Sequence, residues 1–462
     1  MIRSIAILLF AVAGIAGALF SQNVTIYGKL DKSYWGNTVT AYTYDDYLSY
    51  SLKKLGDANM DKIGTFTISF PADKTCLVLL RTGNAEAHLY AEPGKSYKVG
   101  ILPKDSGAVE TISNIIPVEL TFFDADSADI NYLLYLYTEK YDTFMAARVG
   151  NTMNESASLE IKIDTFEARI QRKFSQYKND YLRDHITYSL ASMQAVFKKD
   201  AFLYSRYLDK KPVLYGNEEY MGFLSSFFTA TAASYAESER FLNLVNDVEQ
   251  FDSLMAYFGR NKLLHNDTLR ELAVMKFLFD KSTNPELKKN RIVNIMNQAS
   301  ARCKSSENRK IAANLSKKIG KLLAGYPAPA FALQDKNGTT VKLESLKGKY
   351  VYIAFWKANC TVCEEEMRMI PELKKKYGNK VAFVYISLDQ DPSVMKDFLK
   401  KYPKFDWYFL SYTDQKTIMD DYNVLAIPYY ILIHPTGNIS QAPAPHPGLD
   451  LDKLLNDLIK KK

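Results

Sequence analysis

The pattern of apolar and polar positions divides the chain into three stretches, of which the first is strand-like. Residues 22–118 alternate apolar and polar side chains over short runs separated by turns, most clearly at 23–30, 64–70, 76–80 and 87–91. Alternation with a period of two is typical of half-buried strands. Because many short strands with frequent turns favour two sheets packed face to face, we predict an N-terminal β-sandwich domain here.

The second stretch, residues 119–324, has a helical period. Apolar residues recur every three to four positions, beginning with Ile130, Leu133, Leu134 and Tyr137, and charged residues occupy the positions between them. This pattern predicts a central all-α domain.

The third stretch, residues 325–462, alternates strand-like and helical runs. It begins where glycine and two prolines at 325–329 interrupt the helical pattern. Continuous apolar runs at 350–356 and 381–388 predict buried strands, and an amphipathic helical pattern follows each of them. The alternation predicts an α/β domain with a mixed sheet, so the fold class of the whole chain is multidomain.

Two cysteines lie where the strand at 350–356 gives way to a helix. Cys360 and Cys363 precede apolar positions that continue at helical spacing to Tyr377. The free amides and the dipole at a helix N-terminus stabilise a thiolate, so a Cys-x-x-Cys pair there predicts a dithiol–disulfide switch. Half of a zinc site and two incidental buried thiols are the alternatives. A zinc site needs further ligands, and the histidines are scattered, so we predict no metal and no cofactor beyond this disulfide.

A proline directly begins the apolar run at 429–433. Pro428 has no amide hydrogen to give to a strand ladder, which makes this position unusual. We predict a cis peptide bond between Ile427 and Pro428, in a loop beside the cysteines. A trans bond at a strand edge is the alternative, and trans is the commoner state of X–Pro bonds.

Charge and the first residues of the chain indicate where the protein works. The sequence has 59 basic and 52 acidic residues, a net charge of +7, and no dense basic block, which argues against nucleic-acid binding. Residues 1–21 combine Arg3, an apolar centre and a Leu19-Phe20-Ser21 cleavage site, as signal peptides do. The apolar centre is short for spanning a bilayer, so we prefer cleavage to an uncleaved anchor. We therefore expect a periplasmic or otherwise extracytoplasmic protein.

The two remaining cysteines, Cys76 and Cys303, fall in different predicted domains. Four cysteines in 462 residues exclude a scaffold held together by disulfides. We expect two separate buried thiols. A bridge between them is the alternative, and it requires a proximity that sequence does not reveal.

The third stretch resembles a known family. Its residues from about 326 to 462 are similar to the TlpA-like thiol-disulfide oxidoreductases, which have a thioredoxin fold. The motifs that carry the resemblance are Pro327-Ala328-Pro329-x-Phe331, Leu346-Lys347-Gly348-Lys349, Phe355-Trp356, Cys360-x-x-Cys363, Glu366, Pro428 and Asn438-Ile439.

The resemblance implies roles for four residues. Cys360 is the attacking thiolate, Cys363 the resolving thiol, and Pro428 the cis-proline that aligns an incoming disulfide, while Glu366 tunes the thiols. Protein disulfides are the implied substrates, and a membrane thiol–disulfide relay is the implied electron donor. The chain departs from the family at Asn359, Thr361-Val362, Ala354 and Arg368, which leaves its redox potential and partner open.

The charges after the cysteines favour one direction of electron flow. Glu364, Glu365 and Glu366 place negative charge in the first turns of the cysteine helix. That charge opposes the helix dipole and raises the pKa of Cys360, which makes the couple more reducing. We therefore predict a reductase rather than an oxidase.

Two other functions compete with a protein-disulfide reductase. Peroxiredoxin-like thiol peroxidases use Pro-x-x-x-Thr-x-x-Cys, and no proline closely precedes Cys360. The other alternative is a partner-binding protein in which the thioredoxin fold is only structural; an intact Cys-x-x-Cys with Pro428 argues against it.

Overall fold

The computed structural model describes residues 22–34, 37–83, 85–101, 115–124, 126–149, 156–236, 238–414 and 417–460. The predicted signal peptide, residues 1–21, lies outside them. No helix in the described ranges is both long enough and apolar enough to cross a membrane.

The N-terminal region is rich in strands, as predicted. Its strands are β1 Gln22–Leu30, β2 Thr38–Tyr44, β3 Leu52–Asn59, β4 Thr65–Ala72, β5 Cys76–Thr82, β6 Ala85–Ala91, β7 Ser96–Ile101, β8 Ile116–Pro117 and β9 Leu120–Phe122. They form two sheets, ordered β4-β1-β7-β9 and β3-β2-β5-β6-β8. Alternate residues of β4, such as Phe66, Ile68 and Phe70, are buried, and they share one core with residues of the other sheet. Since β9 pairs with β7, strand pairing continues past residue 118, where we expected this region to end.

The central region is helical, as predicted. Its helices are α1 Ile130–Val149, α2 Ser156–Phe174, α3 Asp180–Gln194, α4 Asp200–Leu203, α5 Glu218–Ala236, α6 Glu239–Asn243, α7 Phe251–Phe258, α8 Asp267–Asp280, α9 Lys289–Arg302 and α10 Ser306–Gly320. One core joins α1, α2 and α3, and a larger core joins the later helices with Tyr47 and Leu48 of the strand-rich region.

The C-terminal region has a mixed sheet with helices on it. Its elements are β10 Ala332–Asp335, β11 Thr340–Lys342, β12 Tyr350–Trp356, α11 Thr361–Met367, α12 Ile370–Tyr377, β13 Val381–Ser387, α13 Pro392–Lys401, β14 Tyr408–Ser411, α14 Ile418–Asp421, β15 Tyr429–Ile433, β16 Ile439–Gln441 and α15 Leu449–Lys460. The strand order is β11-β10-β14-β13-β12-β15-β16. β12 pairs parallel to β13 and antiparallel to β15, so it lies inside the sheet.

The continuous apolar run of β12 reflects burial on both faces of the sheet. Tyr352 and Trp356 belong to one core, whereas Ile353 and Phe355 belong to the core on the opposite face. A strand covered on both sides has no solvated face that would require polar residues. The strand β12 leads directly into the loop that ends at Cys360.

The helix after the cysteines is broken, although its apolar pattern predicts a single one. α11 ends at Met367 and α12 begins at Ile370. Pro371, in the first turn of α12, has no amide hydrogen for the Met367 carbonyl, and its ring would clash with that carbonyl in a continuous helix. The break therefore occurs one turn after Cys363.

Candidate active site

Cys360 and Cys363 form a disulfide at the start of α11. Cys360 is the N-cap of this helix, and its Sγ accepts a hydrogen bond from the Cys363 amide at 3.2 Å. Cys360 is half-buried, whereas Cys363 is 1% exposed and belongs to the core beneath the sheet. The two sulfurs therefore differ in access to solvent and in contact with helix amides.

The loop between β12 and Cys360 is fixed by a carboxylate from the neighbouring strand. Asp389, two residues beyond β13, accepts a hydrogen bond from the Ala358 amide at 3.0 Å and one from the Ser387 hydroxyl at 2.8 Å. The Cys360 amide donates to the Lys357 carbonyl at 3.1 Å. Our sequence reasoning missed Asp389. Its signal was a polar residue just beyond the carboxyl end of the next predicted strand, which the structure shows to be parallel to β12.

Pro428 lies at the same end of the sheet as the cysteines. In the register of β12 and β15, Phe355 is opposite Tyr429, so Pro428 adjoins the end of β12. Ile427 and Cys360 pack against the same core. The peptide bond between Ile427 and Pro428 is cis, which confirms that prediction. A second cis bond, between Ala442 and Pro443, was not predicted.

The three consecutive glutamates point to different surroundings. Glu364 accepts hydrogen bonds from Tyr402 and Arg368, and these bonds lower the pKa of its carboxyl group. Glu365 is exposed to solvent. The positive charge of Arg368 offsets the negative charge of Glu364. The three carboxylates therefore do not have the same effect on the cysteines.

The Glu366 side chain is largely buried and contacts residues near the C-terminal end of the chain. Its side chain is 15% exposed, and it accepts hydrogen bonds from the Tyr430 hydroxyl and from His446 Nδ1, the latter at 2.8 Å. Burial raises the pKa of Tyr430 above its usual range, so its hydroxyl stays protonated and available to donate. Sequence reasoning missed both partners because they lie 64 and 80 residues away along the chain.

Cys76 and Cys303 are free thiols, which confirms that they are separate. Cys303, at the end of α9, is 2% exposed, as expected, whereas Cys76 on β5 is half-buried and not fully buried as we expected. Burial raises the pKa of Cys76 to about 11 and that of Cys303 to about 12. Both therefore remain protonated, and poorly nucleophilic, near neutral pH.

Comparison with known proteins places the similarity in the C-terminal region. Residues 324–442 match the AhpC/TSA family. A thiol-disulfide oxidoreductase ResA of Bacillus cereus is 35% identical over 121 residues, which are 26% of this chain and 68% of the relative. The thioredoxin-like protein YneN of Bacillus subtilis is 32% identical over 124 residues, 27% of this chain and 73% of the relative.

Solved structures also match part of the chain. The thioredoxin domain of a thiol-disulfide oxidoreductase from Bacteroides vulgatus is 27% identical, with a TM-score of 0.28, and the match covers 29% of this chain and 97% of that one. The matches with ResA and YneN cover 68% and 73% of the length of those relatives. The family match at residues 324–442 includes the Cys360–Cys363 disulfide. The chain therefore belongs, through its C-terminal region, to the TlpA-like family of thiol-disulfide oxidoreductases that includes ResA.

Proposed function

We propose that this enzyme reduces disulfide bonds of other proteins in an extracytoplasmic compartment. The difference between the two cysteines carries the proposal: Cys360 is partly exposed and its sulfur accepts a helix amide, whereas Cys363 is buried in the core. A protein substrate reaches only the first sulfur. The signal-peptide pattern of residues 1–21 supports the compartment.

The reaction begins from the reduced dithiol. The Cys360 thiolate attacks one sulfur of the substrate disulfide, a mixed disulfide forms, and the other substrate sulfur leaves and takes up a proton. The Cys363 thiolate then attacks Cys360 Sγ and releases the second substrate thiol. The substrate gains two electrons, and the enzyme is left with the Cys360–Cys363 disulfide. A membrane thiol–disulfide relay then returns two electrons to the enzyme.

Two further residues have roles in this proposal. Pro428, at the end of the sheet beside the cysteine loop, aligns the backbone of the incoming chain with the disulfide. Glu366 lies on the cysteine helix one turn after Cys363 and is largely buried, so its charge is poorly screened. That charge disfavours the Cys360 thiolate and favours electron transfer to the substrate. Glu364 and Glu365 contribute less because one is ion-paired and the other is exposed.

Trapping the mixed disulfide tests the order of attack. Cys363→Ser, expressed in the native compartment, removes the resolving thiol, so adducts with substrate proteins should accumulate and disappear on addition of a reductant. Cys360→Ser is the matched control, because it also leaves one thiol but leaves the buried one. It should yield few or no adducts. Mass spectrometry of the adducts would identify the substrates.

The outcomes separate this proposal from its competitors. Equal trapping by both variants would contradict the assignment of roles to the two sulfurs. No trapping by either, together with a dithiol that resists titration in the native protein, would favour a partner-binding role. Rapid consumption of hydrogen peroxide by the reduced enzyme would favour a thiol peroxidase.

A further inference from the structure

A cleft whose residues are remote in sequence from the redox site lies between the strand-rich and helical regions. It has a volume of about 340 Å³, and its walls are β6 and β9 on one side and α1, α3 and α5 on the other. Two of its lining residues are the adjacent carboxylates Glu218 and Glu219, and none of the described lining residues is a lysine or an arginine. The cleft therefore gathers negative charge without a fixed positive charge in its wall.

The two carboxylates differ in how they are satisfied. Glu218 accepts a hydrogen bond from the Tyr90 hydroxyl at 3.2 Å. Among the described residues, the nearest basic group to Glu219 is His185, whose Nε2 is 4.0 Å from Oε1, beyond hydrogen-bonding distance. Burial, and to a lesser extent the charge of Glu218, raise the pKa of Glu219 to about 7. The Glu219 side chain is 32% exposed, so a ligand in the cleft can reach it, and no basic group of the described residues lies within hydrogen-bonding distance of it.

His185 does not supply a counter-ion to Glu219. Its side chain is 9% exposed, and Nδ1 is buried with no hydrogen-bond partner in the described part of the chain. Tyr90 and Tyr137 pack edge-on against the ring, with centroids 5.9 and 6.1 Å away. Burial lowers the pKa of His185 to about 4, so the ring is neutral at pH 7. It offers the cleft a polar but uncharged edge.

The remaining wall is partly aromatic. Tyr90 and Phe122 contribute rings from the strands, and Tyr135 contributes a ring from α1 that is 65% exposed. The face of an aromatic ring attracts an organic cation, and a carboxylate adds a charge-assisted hydrogen bond to an ammonium group. A metal ion fits less well, because no three His, Cys, Asp or Glu side chains within the described ranges are grouped to hold one.

We propose that this cleft binds an organic cation through an alkylammonium group, with Glu219 as its counter-ion and the aromatic rings around its alkyl chain. The ammonium supplies the positive charge that Glu219 lacks. Two sources share this chemistry: a free aliphatic amine and a lysine side chain of a polypeptide.

Calorimetric titration of the full-length protein with pentylamine at pH 8 tests the proposal. A carboxyl group with a pKa near 7 is largely ionised at that pH. Pentan-1-ol and valerate are controls of similar length, one neutral and one anionic. We expect pentylamine to bind at least tenfold more tightly than either control. Nα-acetyl-lysine methylamide distinguishes the sources: binding as tight as that of pentylamine indicates a lysine side chain, and binding only of pentylamine indicates a free amine.

Two variants test whether pentylamine binds in the cleft. Glu219→Gln keeps the shape of the side chain and removes its charge, so pentylamine affinity should fall about tenfold or more, as expected for loss of a charge-assisted hydrogen bond. Glu239→Gln, at an exposed position on α6, is the matched control and should bind as wild type does. Thermal unfolding of both variants verifies that they fold.

Other results would overturn the proposal. These are equal affinity for pentylamine and pentan-1-ol, or unchanged affinity in a folded Glu219→Gln variant. A second readout does not depend on any variant. Pentylamine should shift the imidazole resonances of His185 in the wild-type protein, and resonances that stay in place at saturation would show that the amine binds elsewhere.

Discussion

Glu366 differs from the two glutamates before it because it is largely buried and is held by Tyr430 and His446. It follows Cys360 by six residues, which is about 9 Å along a helix at about 1.5 Å per residue. Two unit charges at that distance interact by about 2 kcal/mol at an effective dielectric constant of about 20. This interaction is large enough to change the pKa of Cys360 by about one unit.

We expect Glu366→Gln to make the enzyme more oxidising. Loss of the negative charge stabilises the Cys360 thiolate, lowers its pKa, and thereby stabilises the reduced form. The potential responds only where the thiolate is populated, so it should be measured at pH 8.5 against a glutathione buffer. A shift of one pKa unit corresponds to at most about 30 mV for a two-electron couple.

Glu365→Gln is the matched control for this prediction. It is the same substitution one residue earlier, on an exposed side chain whose charge is screened by solvent. The reduction potential of the Glu365→Gln variant should stay within a few millivolts of the wild-type potential. Equal shifts of the reduction potential in the two variants would show that the burial of Glu366 does not determine its effect on the couple.

Cys76 and Cys303 should be inert in the native protein. A thiol with a pKa of about 11 is about one part in a thousand thiolate at pH 8, and burial also limits access. Iodoacetamide added to the reduced native enzyme should label Cys360 and leave both of these cysteines unmodified, as read by peptide mass spectrometry. Labelling in guanidinium provides the control. Native labelling of Cys303 as fast as that of Cys360 would reveal an opening of the helical core.

The residues of the disulfide could be predicted from sequence, but their supports could not. Cys360 and Cys363 are three positions apart, so the strand before them and the helical pattern after them determine their setting locally. Tyr430, His446 and Asp389 meet this site only through the register of the sheet and the path of the last loop. The sequence contains no local signal for the contacts of Tyr430 and His446, and the only signal for Asp389 is its position just beyond the end of a predicted strand.

At the scale of secondary structure, the end of β13 supports the cysteine loop. Asp389→Ala removes the acceptor of the Ala358 amide and of the Ser387 hydroxyl. Two lost hydrogen bonds cost about 1–3 kcal/mol of stability, and the loop before Cys360 becomes less fixed. We expect slower reduction of a protein disulfide, measured by stopped flow, together with a lower melting temperature.

A neighbouring aspartate separates the effect on the loop from the effect on stability. Asp391 caps α13 by accepting the Ser393 amide at 2.8 Å, and loss of a cap costs about 1 kcal/mol. Asp391→Ala should therefore lower the melting temperature but leave the rate unchanged. Asp389→Asn, which keeps an acceptor oxygen, should restore most of the rate. A rate that falls equally in both alanine variants would mean that Asp389 acts only through stability.

Element boundaries show where sequence patterns are weaker. The apolar spacing from Cys363 to Tyr377 predicts one helix, because Pro371 does not disturb that spacing. Proline is compatible with the first turn of a helix, and in the structure it lies in the first turn of the separate helix α12. Strand β9 escaped prediction because it is only Leu120–Phe122, too short for its alternation to be recognised. For the cysteine helix the class of structure was predicted and its extent was not, whereas β9 lies in a stretch that was predicted to be helical.

At the scale of the whole molecule, polar contacts as well as apolar ones join the helical region to its two neighbours. The Asn314 side chain donates to Asp45 and Asp46, and Lys318 donates to the Ser49 carbonyl, so α10 is attached to the strand-rich region. Just beyond α10, Lys321 donates to the Asp420 carbonyl of the C-terminal region. Sequence predicted the order and class of the regions, but these contacts join residues far apart in the chain.

The predicted boundary at residue 325 can be tested with fragments. The two cores of the C-terminal region consist of residues from 328 onward, apart from Leu322. A fragment of residues 321–462 should therefore fold alone and reduce a small disulfide such as glutathione disulfide at a rate within about twofold of the full chain, since an independent core permits independent folding. A much lower rate in a folded fragment would show that the first 320 residues take part in the chemistry itself.

A shorter fragment, residues 331–462, should be markedly less stable. Three backbone hydrogen bonds join the segment at 325–328 to β16 and the turn before it: Gly325 to Ile439, Ile439 to Tyr326, and Ala328 to Gly437. The Pro329 carbonyl also accepts the hydroxyl of the fully buried Tyr422. At about 1 kcal/mol each, with a further cost for an unpaired buried hydroxyl, their loss amounts to about 4 kcal/mol or more. Urea unfolding of the two fragments measures the difference. Equal midpoints would mean that residues 321–330 are a linker, and that the region begins after Ala330.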